Sequence, residues 1–499
     1  MEDHILQYLL KNETKLEKVY NMKKSFKDFC VIKEATQDGK DWKKEFVQLD
    51  KGFIPPPRMR PIINAFIKSS DIKIMDDTTK EITMPKKSIF LVGGSTRDFI
   101  KGKSPRDYHL ATNATPQQIA LILDKSGFRM MDKDNELKLT FTPKMADESS
   151  KKTWYVKGKD DSGKPYSIVA KILEDEFEIC TLRKDPKTDK VSKINDFVDS
   201  PHDDANGRDL TINALYLDLT KPDGENNKLY DPTGKGWHDA KNDVVRAVGK
   251  AEDRFKEDKI RILRAVRFHC RFGKTQELDT DIKRSMERFK DLEGVGLEKI
   301  RDEFLKGLLH PDTNVQRYIT IYKNTGLIGK VFPDLEIHMD IPPEFSSRRD
   351  KTLALAWLLQ DNPIEKVSDA LAPSRIIKDK EEATGWNAQE KRAVLFLLAI
   401  KEFTPKDRPE CLRAWKGTGL TKDQIKDWVE MFTITDSQGR KRNKRPIWAI
   451  HVRTMADHDN PLAGPLDVQD IPNFMQGDSL DNMEIERFLK LLPMSQVKD

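Results

Sequence analysis

Apolar and polar positions set the outline of the chain before anything else does. Residues 88–92, Ser-Ile-Phe-Leu-Val, form a short continuous apolar run rich in β-branched and aromatic residues, and such a run predicts a buried strand. Gly93-Gly94 ends it with a turn where backbone can approach a ligand. A short helix carrying Arg97 and Asp98 is expected next. Residues 107–111, Asp-Tyr-His-Leu-Ala, predict a second strand, on which Asp107 and His109 share a face. Thr115-Pro116 reads as an N-cap followed by proline at the first helical position, opening a helix over 116–126.

Further along, strands are expected at 138–141, 153–156 and 167–171. Residues 176–183 alternate, with Phe177, Ile179 and Thr181 on one face and Glu176, Glu178 and Cys180 on the other. Residues 254–272 predict one amphipathic helix, with Asp258, Arg261 and Arg264 along one flank and Ile260, Ile262, Leu263 and Val266 on the other. After 297 the apolar spacing is helical almost throughout, with helices expected at 315–324, 349–359, 387–402, 422–432 and 482–492. A helix over 6–29 and another over 60–72 precede the first strand, separated by the break at Pro55-Pro56-Pro57.

Composition narrows the function classes. The chain has 499 residues, enough for two to four domains; 34% are charged and 37% hydrophobic, which suits a soluble, helix-rich protein. The net charge is +5, so nucleic-acid binding would rest on local basic patches rather than a global field. The densest is 440–445, Arg-Lys-Arg-Asn-Lys-Arg, where an RNA-gripping surface and a solvated loop are equally good readings. No apolar run is long enough to span a membrane, and the start MEDHILQYLL lacks the pattern of a secretory signal. The four cysteines, Cys30, Cys180, Cys270 and Cys411, are scattered without a CxxC pair, so reduced thiols and a cytoplasmic location are the expectation.

The ordered set Gly93-Gly94-Ser95-Thr96-Arg97-Asp98, Asp107-Tyr108-His109, Thr112 and Pro116 resembles the GGxxRD and DxDxxTxxxP pattern of class II tRNA nucleotidyltransferases and bacterial-type poly(A) polymerases. Glu178-Ile-Cys-Thr-Leu-Arg183 resembles that family's ExxTxR strand, residues 208–214 its RRDFTINAL motif, 231–236 its DPxGG turn, and 257–264 its EDxxRxxR helix. The resemblance is good over about 86–310 and thin afterwards. It implies an α+β architecture: a polymerase-β-like nucleotidyltransferase head with a mixed sheet, then an all-α neck, body and tail. The boundaries expected are 1–60 for an unassigned extension, 61–220 for the head, 221–310 for the neck with its base-reading helix, and 311–499 for a helical, tRNA-binding body and tail.

The resemblance also implies roles. Asp107, His109 and Glu178 take the catalytic and metal positions; Gly93, Gly94, Arg97, Arg208, Asp209 and Asn213 hold the sugar and triphosphate; Asp258, Arg261 and Arg264 lie where the family reads the base. Arginine forks onto phosphate, and a carboxylate accepts from the exocyclic amine that cytosine and adenine share. From the residues alone, the better reading of Glu178 is an ordinary edge-strand glutamate and that of Asp258–Arg261 an ion pair on a wet helix face, while capping of a helix end competes for Asp209 and Asn213. The implied reaction is addition or repair of the 3′ CCA of tRNA from CTP and ATP with Mg2+, or with Mn2+. The family's poly(A) polymerases and a non-catalytic tRNA-binding protein on the same scaffold are the alternatives. Oligomeric state is not legible.

Two departures stand out. Gly207 replaces the first arginine of RRD, and His109 replaces the second aspartate of DxD. Imidazole suits manganese, cobalt or zinc better than magnesium, and it removes a negative charge from a site meant for dications. The expectation is a site severely impaired with magnesium, either active with a shifted metal preference or inactivated; replacement of the missing aspartate by a neighbouring acid is the third reading, and no acid stands at the right spacing. At 360–361 Gln-Asp stands near where some relatives carry a phosphohydrolase His-Asp pair; without the histidine, that activity is not expected.

Overall fold

A computed structural model describes residues 47–443, apart from 50–51, 76–80, 106, 132–136, 138, 140, 160–164, 185–196, 221–227, 274, 276, 342–349, 378–379, 400–414, 416–417, 422, 425–426, 429–430, 432 and 436–440. The helices expected at 6–29 and 482–492, and residues 440, 444 and 445 of the basic run, lie outside the described residues. The chain divides into two compact units, with the boundary between Arg254 and Phe255.

The first unit is built on one mixed sheet. Its strands are β1 (Val47–Gln48), β2 (Ile89–Val92), β3 (His109–Thr112), β4 (Arg129–Met130), β5 (Lys152–Lys159), β6 (Pro165–Ile172), β7 (Asp175–Thr181), β8 (Tyr216–Asp218) and β9 (Lys228–Tyr230). They lie in the order β1-β9-β8-β2-β3-β7-β6-β5-β4. Only β3·β7 and β4·β5 are parallel among these ladders. β9 belongs to this sheet, so the first unit runs on past residue 220.

β2 is buried along its whole length, as its continuous apolar run requires. The helix α1 (Arg60–Ile67) ends five residues short of the expected 72 and continues as a 3-10 turn, Lys68–Asp71. Thr115 caps α3 (Pro116–Lys125) through a full capping box: its hydroxyl accepts from Gln118 N while the Gln118 side chain accepts from Thr115 N. Ile119, Ile122 and Leu123 of α3 are fully buried, as are Ile168 and Ala170 of β6. α3 and α1 pack together, and α3 also packs on β6 and β7. The strand expected at 138–141 is absent at its described positions, where the backbone is irregular.

α5 (Gly236–Asn242) follows the 231–236 turn, and Asp231 holds its first turn by accepting from Gly236 N and Trp237 N at 3.2 and 2.9 Å. A Cβ on Gly236 would stand 2.6 Å from the Thr211 carbonyl oxygen, so the residue must be glycine for α5 to close on the 3-10 turn Thr211–Asn213. Asp239 of α5 is fully buried and accepts from Thr211 Oγ1 at 2.7 Å and Arg246 Nε at 3.1 Å.

The second unit is mainly helical. The single helix expected over 254–272 is two: α6 (Ala251–Glu257) and α7 (Ile260–Phe272), broken at Asp258–Lys259. α7 packs on the helices Leu297–Leu308 and Val315–Asn324, around the buried rings of Phe304, Tyr318, Tyr322 and Phe332. Arg267 of α7 forms a buried ion pair with Glu303. Lys351–Leu359 and Ala388–Ala399 pack against each other; the first is buried from Leu353 to Leu359 and the second from Ala393 to Ala399. Two short antiparallel hairpins add to the helices, Ser374–Ile377 with Lys380–Ala383 and Thr433–Thr435 with Lys441–Asn443. Among the described residues no helix is long and apolar enough to cross a membrane, and Cys180 and Cys270 are free thiols.

Candidate active site of the head

The glycine turn is the first fixed point. Gly93 has φ 64° and ψ −132°, a conformation that side chains resist, and Gly94 opens α2 (Gly94–Ile100). Arg97 turns back beneath it: a Cβ on Gly94 would stand 3.2 Å from Arg97 Nη2. A Cβ on Gly93 would stand 3.9 Å from Arg208 Nη1. One guanidinium therefore lies against each glycine of the pair.

Both arginines are anchored internally. Arg97, 3% exposed, donates through Nη1 to Asn213 Oδ1 at 2.9 Å and through Nε and Nη2 to Asp98 Oδ1 at 3.1 and 2.9 Å. Asn213 in turn donates from Nδ2 to Asp209 Oδ1 at 3.2 Å, and the same oxygen accepts from Leu210 N at 2.8 Å. Asp98, Arg97, Asn213 and Asp209 thus form one connected polar chain running beneath the turn.

Arg208 sits in a second network that sequence reasoning missed. Its Nε donates to Asp204 Oδ2 at 2.9 Å and to the Tyr216 hydroxyl at 2.7 Å, while Tyr216 donates to Asp204 Oδ2 at 2.5 Å. The guanidinium also stands over the Tyr216 ring, 4.9 Å from its centroid. Asp204 Oδ1 accepts from Arg183 N, which ties β7's exit to the same group. Burial works against charge on Arg208, but Tyr216 and Asp204 more than offset it and hold the group fully protonated. Burial, reinforced by Asp204, pushes the Tyr216 hydroxyl well above the usual phenol range, so it stays a donor. The signal was present: Asp204 and Arg208 stand four apart, and α4 (Pro201–Asn206) carries the aspartate. Gly207, in the place of the first arginine, is the C-cap of α4.

The acid-bearing strand comes next. The β3 ladder begins at His109, and Asp107 and Tyr108 lie just ahead of it rather than inside it. Pro105 upstream has no N–H to extend a ladder, and the Tyr108 ring packs near Phe53 and Phe177. Asp107 therefore occupies the exposed bend leading into the strand. The parallel pairing of β3 and β7 sets His109 opposite Glu178 and Ala111 opposite Cys180. Paired residues point to the same side of a sheet, so His109 and Glu178 share a face. The alternation expected along β7 is seen: Phe177, Ile179 and Thr181 are buried, and Glu178 and Cys180 face the other way, half-buried. Burial raises the Cys180 thiol to about 12, which keeps it neutral beside Glu178.

Glu178 is not idle. Its Oε1 accepts from Ser167 Oγ and its Oε2 from Lys157 Nζ, each at 3.0 Å. In donor chemistry, the carboxylates of Asp107 and Glu178 with the His109 imidazole suit a divalent cation, and the imidazole favours one softer than magnesium. Among the described residues, no three His, Cys, Asp or Glu side chains converge into a preformed cage.

In the second unit, Asp258 is the junction residue between α6 and α7, and its Oδ1 accepts from Ile260 N at 3.1 Å. It does not lie on a continuous helix flank, as expected from the sequence. Arg261 is 2% exposed, not on a wet face, and its Nη1 reaches Glu257 Oε2 at 3.3 Å. The Arg264 guanidinium stands 5.7 Å from the centre of the Phe268 ring.

Comparison with known proteins adds a family. Residues 89–246, from β2 to the turn after α5, match the family described as the poly A polymerase head domain. The chain is 28% identical over 366 residues to the CCA-adding enzyme of Lactobacillus johnsonii, covering 72% of this chain and 71% of that one. It is 33% identical over 284 residues to the mitochondrial CCA tRNA nucleotidyltransferase 1 of Homo sapiens, covering 54% of this chain and 56% of the human protein. It therefore spans little more than half of the human relative. Among solved structures, the Bacillus stearothermophilus CCA-adding enzyme in complex with CTP aligns with a TM-score of 0.47 at 18% identity, over 80% of this chain and 82% of that one.

Proposed function

We infer that this chain is a member of the family of class II tRNA nucleotidyltransferases and bacterial-type poly(A) polymerases and adds or repairs the 3′ CCA of tRNA from CTP and ATP without a nucleic-acid template. The observation that carries this reading is the glycine turn with one guanidinium against each glycine, next to the strand whose first residue is paired with Glu178. Guanidinium groups held rigidly from behind are suited to a triphosphate, because their geometry is set before the ligand arrives.

The roles follow from position. Gly93 and Gly94 let the triphosphate approach the backbone, and Arg97 and Arg208 supply charge. Asp209 and Asn213 steady Arg97 and are assigned to the sugar hydroxyls. Asp107, His109 and Glu178 would hold the divalent ions, which in this class of transfer activate the 3′ hydroxyl and support the leaving pyrophosphate. Asp258 and Arg261, with Arg264, are assigned to the base edge, and the helical region 311–499 to the body of the tRNA.

Incubating tRNA that lacks its CCA with labelled CTP alone tests the activity. Incorporation of C is expected. Incorporation with ATP but never with CTP would make the chain a poly(A) polymerase. Tight tRNA binding with no incorporation under any dication would leave only the scaffold, a reading that His109 and the engaged Glu178 favour. Base selection has a separate test. Asp258→Asn keeps an oxygen for Ile260 N but presents a donor where cytosine and adenine also donate. Discrimination against UTP and GTP should fall by about tenfold, the lower end of about 1–3 kcal/mol for one well-made base contact. Unchanged discrimination would remove Asp258 from the base-reading role.

A further inference from the structure

We propose that Lys157 is a tethered cation that competes with the divalent ion for Glu178, so that dication binding at the head requires this lysine to let go. The proposal rests on the dication reading above. Lys157 reaches Glu178 from two strands away because the two share a face: Tyr155, Val169 and Glu178 form one rung, and alternation along β5 brings Lys157 to the Tyr155 side, just where the ladder is irregular. Val156 pairs with Ile168 and Gly158 pairs with Ser167, leaving Lys157 as the extra residue of a β-bulge. A bulge bends its strand and re-aims a side chain, and it is a common device beside functional sites. From that face the ammonium crosses β6 to the Glu178 carboxylate at 3.0 Å.

The surroundings fit a displaceable charge better than a structural bridge. The Glu178 side chain is 21% exposed and that of Lys157 54% exposed, so the lysine has open solvent to move into. Ser167 is fully buried and would hold Glu178 in place from its other oxygen after Lys157 has left. Glu178 is half of the rung it shares with His109. With an ammonium 3.0 Å from the Glu178 carboxylate, that rung offers an incoming dication less attraction until the lysine departs.

Titrating the full-length protein with Mn2+, without nucleotide, and following the free-ion signal by electron paramagnetic resonance gives a readout independent of activity. Lys157→Met should bind Mn2+ at least twofold and up to about fivefold more tightly than the unmutated chain, the range a half-exposed ion pair can supply. Lys157→Arg should match the unmutated chain. Lys171→Met is the control: Lys171 is on the same side of the sheet, with its Nζ 4.0 Å from Glu176 and not on Glu178, so its loss removes an equal charge nearby. Equal gains from both methionine variants, or no gain from Lys157→Met, would overturn the proposal. If no protein, mutated or not, binds Mn2+ at millimolar concentration, the dication reading itself falls, and Lys157 with it.

Discussion

His109→Asp raises magnesium-dependent incorporation of CTP into CCA-less tRNA by at least tenfold. The position is fixed by the sheet: His109 opens β3 and is paired across the parallel ladder with Glu178. A carboxylate there would complete a face of oxygen donors with Asp107 and Glu178, the set magnesium prefers. The imidazole offers one nitrogen and no negative charge, which leaves the magnesium ion under-coordinated and the approach of a second dication less favourable. His109 is exposed, so the substitution disturbs no packing and the comparison reads the site rather than the fold. Replacing magnesium by manganese should narrow the difference, because imidazole ligates manganese more readily. Equal rates in magnesium for the two proteins would mean that residue 109 is not a metal position.

Asp204→Ala should loosen the first unit by about 3 kcal/mol, which is the cost of leaving one partner of a buried ion pair behind. Asp204 is 2% exposed and accepts from Arg208, Tyr216 and the Arg183 amide. Without it, Arg208 keeps its charge with only the Tyr216 oxygen and the Asn213 carbonyl as acceptors in this network. Hydrogen exchange at the amides of 204–216 measures the local opening directly, and roughly a hundredfold faster exchange is expected there. Because Arg208 lies against Gly93, triphosphate affinity should fall in the same variant. Unchanged exchange would show that Tyr216 alone suffices to hold Arg208.

Local features of the fold were legible in the sequence wherever one short segment decides them. The apolar run at 89–92, the Thr115-Pro116 start of α3 and the two faces of β7 all follow from periodicity and capping, which need no knowledge of neighbours. The pairing of His109 with Glu178 was implied only by family resemblance, since β3 and β7 are distant in the chain and alternation says nothing about register. The break at Asp258 was hidden because the apolar spacing carries through it, and an aspartate just before a helix reads the same as one within its first turn. Arg261 looked solvent-facing on a helical wheel, yet it is buried, with Glu257 four residues earlier as a partner. Lys157 could not have been found at all. Its contact depends on the register of β5, β6 and β7, which alternation within any one of them does not reveal.

The rung between His109 and Glu178 joins positions roughly seventy residues apart, and this bears on when the site can exist. β7 reaches β3 as the last strand of a meander that must first form β5 and β6. A chain emerging in order would complete β2, the glycine turn and β3 well before their acidic neighbour is made. A fragment that stops before Asp175 would therefore carry the glycine turn and β3 without the strand that sets Glu178 beside His109.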